Sequence, residues 1–402
     1  MLSQHQFKAL AKTAALVVLA AAMVVYPQDV LSAASQGVSL WALYVLPALL
    51  PFFILSELLM GTGFVHLIGV VLEPVMRPVF RLPGSSAFVV VMGFTSGPPI
   101  GAMLTAKLYR EKLLTQTEAE RLLTFTNNPS PGFMLGAVAA GMFGNPGLGI
   151  ILAFANYLAN LLLGIGLRFY GDRSDEAGNP KAGSPNLWRR SLREMLAAQH
   201  KDGRPLGQLI GDSIRTSVNT ILLVGGFILF FAVLIRLLSI LGVIRVLTAG
   251  FSFILSPLGL ATSLYPAAAS GFLEVTLGAK AAANAAAPVS QQVPVAAAIM
   301  AWSGISVHAQ VAGFISGTPI RLAPFVLGRV AHAGLTAGIA AITLRFSSSV
   351  PVLQTRGAGL SIWQSEFMAL FLAFTTTALA AVILLLLLRS LSFRTFRPFN
   401  RR

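Results

Sequence analysis

Residues 86–105 read SAFVVVMGFTSGPPIGAMLT, an apolar segment interrupted by Gly97-Pro98-Pro99. Its length matches the roughly 20 residues that cross a bilayer as one helix. Two successive prolines remove two backbone donors, and the glycine permits a tight turn. The segment therefore predicts two short helices that meet at a broken tip inside the membrane, which requires that protein or water covers the non-helical backbone.

The whole chain has the composition of a membrane protein. Of its 402 residues, 55% are hydrophobic and only 11% are charged, whereas soluble domains carry about 25% charged residues. This excludes an ordinary soluble enzyme, a disordered protein and a coiled coil. The net charge of +15 is explained by basic loops beside anionic lipid, and we predict no binding to nucleic acid. The lack of cysteine excludes disulfides, Cys–zinc sites and thiol nucleophiles.

Charge predicts the topology. Basic residues cluster in the loop from Arg168 to Arg215 and at the C-terminus, whereas residues 27–38 contain none. The positive-inside rule places both termini and that loop in the cytoplasm of a bacterial cell membrane. A tight turn at residues 144–147 makes Lys107–Arg121 cytoplasmic as well, so residues 86–105 begin and end on one side. The predicted spans are 7–26, 38–60, 122–143, 147–169, 216–241, 290–317, 323–346 and 365–389, with re-entrant hairpins at 86–105 and 258–283.

The second half of the chain repeats the first. Phe53-Ile54-Leu55 recurs as Phe227-Ile228-Leu229, and Ser96-Gly97 recurs as Ser270-Gly271 at the same offset. Crossing parity makes the second copy inverted, as in many transporters. The predicted fold class is thus an all-α polytopic membrane protein with two inverted repeats, each with a re-entrant hairpin, and about 8 transmembrane helices. The predicted domains are 1–36 (an N-terminal helix), 37–170 (first repeat), 171–213 (cytoplasmic linker), 214–346 (second repeat) and 347–402 (a C-terminal helix and basic tail).

Two further segments carry predictions of their own. Residues 65–80 contain Pro74 and Pro78, which predict a broken helix at the membrane interface. Residues 187–200 predict an amphipathic surface helix within the linker.

Inverted repeats place a ligand near the midplane, where broken elements meet. A carboxylate inside a membrane hairpin marks a functional site, and Asn, Ser and Gln suit a neutral polar ligand because they donate and accept hydrogen bonds. The predicted substrate-binding residues are Ser96, Gly97, Pro98, Asn127, Asn128, Ser130, Gly271, Glu274, Ser303, Ser306 and Gln310, with His308 as a further candidate.

Each of these residues also has a purely structural explanation. Gly97 belongs to a run of glycines at spacing four that packs helices closely, and residues 127–132 could be a surface loop. Glu274 could pair with Lys280 or Arg245. His308 is expected to form a hydrogen bond between helices rather than to bind solute, and Glu57 to snorkel towards the cytoplasm.

Catalytic and nucleotide-binding motifs are missing from the sequence. There is no GxxxxGK[ST], HExxH or GxSxG pattern, so an ATP-driven pump, a zinc peptidase and a serine hydrolase are not expected. We predict no enzyme activity, no metal and no cofactor, apart from a coupling cation, H⁺ or Na⁺.

Four motifs resemble those of a known family. LLPFFI at 49–54, SGPPIGA at 96–102, TNNPSP at 126–131 and WSGISVHAQ at 302–310 together resemble the sporulation integral membrane protein YlbJ family, over most of residues 40–350. That family belongs to a nucleoside-recognition or gate-domain group, which is similar to the core of concentrative nucleoside transporters.

The resemblance implies roles for particular residues. Glu274 falls where those transporters keep an acidic hairpin residue, and Ser303 and Ser306 fall where polar residues face the nucleoside. Pro98-Pro99 departs from the Gln/Thr/Glu cluster expected in the first hairpin, which weighs against sodium coupling and against nucleoside itself as ligand. The resemblance also implies a role in endospore formation.

The predicted function is therefore a transporter or gated pore for a small polar, nucleoside-like solute, working by alternating access during sporulation. The alternative is a non-transporting receptor or scaffold of a spore-envelope assembly, with residues 172–213 as its docking platform. Expected partners are the lipid bilayer, the solute, and a second copy of the chain or other sporulation proteins.

Overall fold

The computed structural model describes residues 4–171 and 187–347, and this part of the chain is helical, without a strand. The predicted span 365–389, the basic C-terminal tail and residues 172–186 of the linker lie outside the described residues. The α-helices are α1 Gln4–Val25, α2 Pro27–Leu40, α3 Leu46–Gly61, α4 Phe64–Phe80, α5 Ser86–Ser96, α6 Ile100–Arg110, α7 Gln116–Thr126, α8 Leu148–Leu167, α9 Leu187–Asp202, α10 Leu206–Ile240, α11 Val243–Leu255, α12 Tyr265–Leu273, α13 Val275–Ala283, α14 Val289–Trp302, α15 Gly304–Phe314 and α16 Ala323–Ser347. Two π-helical segments, Trp41–Val45 and Gly132–Met142, and two 3₁₀ turns, Ser256–Leu258 and Thr262–Leu264, complete the described structure.

Several helices are long and apolar enough to cross a membrane. Four qualify alone or as a nearly straight pair: Leu148–Leu167, Leu206–Ile240, Val289–Phe314 and Ala323–Phe346. The number rises to six if the bent pairs α1/α2 and α3/α4 each count as one span. The described part of the chain is therefore all-helical, with four to six candidate membrane spans.

The first predicted hairpin is broken at its predicted tip, whereas the second is broken at Glu274, three residues after the predicted midpoint Ser270-Gly271. In the first, α5 ends at Ser96 and α6 begins at Ile100, with Gly97 at φ +89° between them. In the second, α12 ends at Leu273 and α13 begins at Val275, so the break falls on Glu274 in an extended conformation. The two helices of each hairpin pack against each other.

Each hairpin is followed by a second broken element. The capping box of Thr115 and Glu118 starts α7, and its helix stops before Asn127-Asn128-Pro129-Ser130-Pro131, which leads into the π-helical segment. In the other half α14 stops at Trp302 and α15 starts at Gly304. Ser303 between them has φ +72°, a left-handed conformation that is uncommon for residues other than glycine.

The same order of elements occurs twice, and the packing between the copies is reciprocal. The run α3, α4, α5–α6, α7–π-helix and α8 is followed by α10, α11, α12–α13, α14–α15 and α16. Helix α7 packs against α16 while α14 packs against α8, and α6 packs against α15 while α13 packs against the π-helix Gly132–Met142. Apolar side chains from both copies fill the core between them.

One local prediction was wrong. Helix α4 continues through Pro74 and Pro78, and the interruption lies earlier, at Gly63, whose φ is +74°. Helices α3 and α4 bend there by 84°. The chain after the first helix is also helical, because α2 starts at Pro27 directly after α1, at an angle of 100°.

Loops predicted to share one side of the membrane lie together. Arg321, between α15 and α16, donates from Nε to Glu120 Oε1 at 2.9 Å, and the Tyr170 hydroxyl donates to Glu120 Oε2 at 2.7 Å. Arg110 at the end of α6 donates to the Phe314 carbonyl at 3.1 Å. One end of the molecule therefore gathers the turns after α6, α8 and α15. That this end faces the cytoplasm stays a prediction.

Candidate functional site

The four helix breaks surround one cavity, here called the central cavity. Its polar lining comes from both halves of the chain, and apolar side chains of α3 and α10 form the remaining wall. The lining residues are Val45, Leu49, Pro98, Pro129, Ser130, Phe133, Val224, Ile228, Glu274, Val275, Thr276, Met300, Ser303, Val307 and Gln310. An apolar pocket with a few convergent polar groups is the usual form of a small-molecule site.

In the first half, the hairpin tip touches the break after α7. A Cβ placed on Gly97 would lie 3.3 Å from the Ser130 Cβ. A Cβ on Gly93 or Gly101 would overlap the carbonyl oxygen of Thr126. These glycines therefore let both hairpin helices approach the end of α7. The glycine spacing thus serves close helix packing, and the broken tip is present as well.

In the second half, the two breaks meet in the same way. A Cβ on Gly304 would lie 3.0 Å from Glu274 Cα and from the Leu273 carbonyl oxygen. Trp302 donates from its indole Nε1 to the Phe272 carbonyl at 3.0 Å and stacks on the Phe272 ring at 5.4 Å. The break at Ser303 is thereby held against the break at Glu274.

Glu274 is the buried carboxylate of the central cavity, with only 1% of its surface exposed. It caps α13, accepting from the Leu277 backbone N–H at 2.7 Å. Among residues 4–171 and 187–347, neither Lys280 nor Arg245 forms an ion pair with it. The N-terminus of α13 therefore supplies the stabilising dipole, and Glu274 also lines the central cavity.

Ser303 and Gln310 line the central cavity, and both are buried. The Ser303 hydroxyl donates to the Met300 carbonyl at 3.1 Å, which leaves its oxygen able to accept. Ser306 is 2% exposed but is absent from the cavity lining. Of the three predicted residues Ser303, Ser306 and Gln310, two thus reach the cavity.

Several predicted site residues lie behind the cavity wall. Asn127 accepts from the Ala102 backbone N–H at 3.1 Å and donates to the Leu123 carbonyl at 2.7 Å, which ties α6 to α7. Asn128 donates to the Phe125 carbonyl at 3.1 Å, and its Oδ1 is buried without a partner. Ser96 Oγ is likewise buried without a partner. Gly271 packs closely on Ile299.

His308 has a different role from the one predicted. Its Nδ1 donates to the Gly304 carbonyl at 2.7 Å, within its own helix α15. The ring lies between Trp302, at 4.2 Å, and Phe325, at 5.0 Å. The expected hydrogen bond between helices is therefore wrong for Nδ1, because the Gly304 carbonyl lies one turn earlier in the same helix and is nearer.

The sequence analysis missed Arg329 of α16, which is fully buried behind the cavity. Its guanidinium donates to the Asn127 carbonyl at 2.7 Å, the Thr124 carbonyl at 2.6 Å and Asn160 Oδ1 at 3.2 Å, and reaches the Ala301 carbonyl at 3.4 Å. Helix C-termini leave carbonyls unpaired, and one arginine serves the ends of both α7 and α14. An arginine within an apolar span was the available signal.

No group of three or more metal-ligating side chains occurs in the described part of the chain.

Comparison with known proteins agrees with this arrangement. The family described as "Gate: Nucleoside recognition" matches residues 42–146, which contain the first hairpin and the break after α7. The sporulation integral membrane protein YlbJ of Bacillus subtilis (strain 168) is 44% identical over 316 residues, 78% of this chain and 77% of the relative. The chain belongs to the YlbJ family of sporulation integral membrane proteins. The family predicted from the four motifs is thus confirmed.

A second relative covers less of the chain. An uncharacterized protein of Alkalihalophilus pseudofirmus is 34% identical over 124 residues, 29% of this chain and 26% of the relative. No solved structure matches the chain significantly.

Proposed function

We propose that this YlbJ-family protein is a transporter or gated pore for a small polar, nucleoside-like solute in the membrane of a sporulating bacterium. Two inverted repeats with eight spans in all would alternate access to the central cavity, and both termini would lie in the cytoplasm. The reciprocal packing of the two copies supports this arrangement, as does the match to a nucleoside-recognition family.

One observation carries the proposal: four helix breaks from two similar halves meet at one cavity. Ser130 and Pro98 come from the first half, and Glu274 and Ser303 come from the second. At a broken helix, unpaired backbone groups and helix ends can bind a ligand. Such a site does not require additional charged side chains to be buried. Movement of one half against the other would therefore change the site and its access together.

The lining indicates what kind of solute fits. Glu274 accepts hydrogen bonds, Ser130 and Ser303 both donate and accept, and Gln310 does the same through its amide. The wall formed by Leu49, Val224 and other apolar residues suits a flat or aliphatic face. We propose a neutral solute with several hydroxyl or amino groups, and H⁺ or Na⁺ at Glu274 as the coupling cation.

A thermal-shift screen on detergent-purified protein tests the binding step. Nucleosides, nucleobases, amino acids and small acids would be tried with and without Na⁺ at two pH values. A ligand at 100 times its Kd should stabilise the protein by about 2.7 kcal/mol. The shift should vanish in Glu274→Gln and persist in Glu73→Gln, a matched substitution on α4 that does not line the central cavity.

Uptake of the same ligand into proteoliposomes tests transport. Background uptake of every solute class, together with no thermal shift, would remove the transporter from consideration. It would favour the receptor or scaffold, for which α9 offers Trp188 and Leu196, 61% and 53% exposed. Loss of sporulation on deletion of residues 187–202, with solute binding intact, would point the same way.

A further inference from the structure

A second cavity lies at the predicted cytoplasmic end, between α3, α4, α6 and the surface helix α9. We call it the cytoplasmic chamber. Charges of both signs line it, among them Glu57 of α3, Lys107 of α6, Glu111 directly after α6, and Lys201 of α9. Helix α9 packs on α4 and covers the chamber.

Several charged residues of the cytoplasmic chamber are not in ion pairs. Within residues 4–171 and 187–347, Glu57, Lys107 and Lys201 form no ion pair closer than 4.0 Å, whereas Arg204 is paired with Asp202 at 2.7 Å. Unpaired charges of both signs need water or a polar solute around them. The balance of signs selects neither anions nor cations, so a neutral or zwitterionic solute fits best.

The chamber and the central cavity share walls. Helix α3 contributes Leu49 to the central cavity and Glu57 to the chamber, and the first hairpin contributes Pro98 and Leu104 respectively. Eight residues separate Leu49 from Glu57, a rise of about 12 Å along a helix. The two cavities therefore lie one after the other along the same pair of elements.

On α3, Phe53 falls between Leu49, which lines the central cavity, and Glu57, which lines the chamber. Leu49, Phe53 and Glu57 follow at spacing four, so they lie on one face of α3. Phe53 is 2% exposed and belongs to the apolar cluster that also holds Leu49, Phe88 and Leu104. Its ring is the large apolar group on that face between the two cavities.

We propose that the cytoplasmic chamber is the entrance through which a neutral or zwitterionic solute reaches the central cavity, and that Phe53 closes the path between them. The proposal rests on the proposed function and gives it a cytoplasmic route. It requires that water reaches Glu57 from the cytoplasm at all times, and that water reaches Ser130 only when the side chain of residue 53 leaves the path.

Because the chain contains no cysteine, single cysteines can be placed in it without background labelling. Glu57→Cys, Ser130→Cys and Leu55→Cys would be treated in inside-out membrane vesicles with a charged, membrane-impermeant methanethiosulfonate. We expect rapid modification of Glu57→Cys. Leu55→Cys is the matched control on α3, because Leu55 is 48% exposed on the outer surface of the bundle, where lipid would cover it, and it should not react.

Combining Ser130→Cys with Phe53→Ala tests the closing residue. With Phe53 present, Ser130→Cys can react only in a minor open state, and such states are populated at about 0.1–10%. Removing the Phe53 ring should therefore raise the rate of Ser130→Cys modification by about 10-fold or more. Phe53→Leu should give a smaller increase, and it covers the case in which Phe53→Ala does not fold. Unchanged rates in a folded variant would overturn the role of Phe53.

Two outcomes separate this proposal from the proposed function. Uptake of a solute with Glu57→Cys unlabelled, or labelled only in right-side-out vesicles, would overturn the cytoplasmic entrance and leave the transporter standing. The expected labelling pattern without uptake of any solute would support the path and count against the proposed transport.

Discussion

Arg329 carries a charge into the interior of the bundle and joins two helix ends there. No carboxylate of the described residues forms an ion pair with it, and its hydrogen bonds go to the carbonyls of Thr124, Asn127 and Ala301 and to Asn160. The Asn160 amide also donates to the Phe125 carbonyl. The partial negative charge of two helix C-termini therefore takes the place of a counter-ion.

Arg329→Gln should lower the free energy of unfolding by about 2–4 kcal/mol, because it leaves buried carbonyls without donors at about 1–3 kcal/mol each. Thermal unfolding of the detergent-purified protein measures the change. Arg236→Gln is the control: Arg236 pairs with Asp29 at a half-exposed site, where an ion pair contributes below about 1 kcal/mol. Equal losses in the two variants would contradict the role given to Arg329.

At the scale of elements, the helix breaks of each half pack against each other, and only glycine fits at the closest approach. Gly101→Ala should lower the free energy of unfolding by about 1–3 kcal/mol, since its Cβ would meet the Thr126 carbonyl and force α6 away from α7. Gly211→Ala in α10, with nothing within 4 Å of the added atom, should raise it by about 0.5–1 kcal/mol. Melting curves in which Gly211→Ala is less stable than Gly101→Ala would refute the close contact between α6 and α7.

The same elements show what a sequence can predict. The tips at Pro98-Pro99 and at residues 127–131 were predictable because proline and glycine act on their own backbone. The fate of Pro74 and Pro78 was not, since α4 stays helical where α5 and α9 pack against it. Neither was the cluster around Arg329, because three of its four hydrogen bonds join residues more than 150 positions apart and so leave no local pattern.

For the site, the residue types and their positions in the chain were predicted, but the directions of their side chains were not. Ser130, Glu274, Ser303 and Gln310 reach the central cavity, whereas Asn127 turns its amide to α6 and α7. Beyond the end of a helix, the helical period no longer determines the direction of a side chain. Near a break, that direction depends on the path of the chain as it leaves the helix.

At the scale of the whole molecule, one buried carboxylate ties the two halves together at the predicted cytoplasmic end. Glu120 of α7 binds Arg321, which precedes α16, and also Tyr170 and Gln116. Burial alone would raise the pKa of Glu120, but the hydrogen bonds from Arg321, Tyr170 and Gln116 outweigh it and lower that pKa from about 4.5 to about 2.

Because the folded protein binds the charged form of Glu120, the stability that this site contributes is complete above about pH 4.5 and is lost as the pH falls towards about 2. The difference in melting temperature between the unsubstituted protein and Glu120→Gln should therefore be constant from about pH 7 to 5 and shrink below pH 4.5. Arg321→Gln removes the main partner and should give a difference of the same shape. A difference that stays constant down to about pH 3 would show that Glu120 is not held in its charged form. If the expected curve is found, mild acidification does not break the ion pair between Glu120 and Arg321. Any movement that separates the two halves at this end must then break that ion pair while both groups are charged.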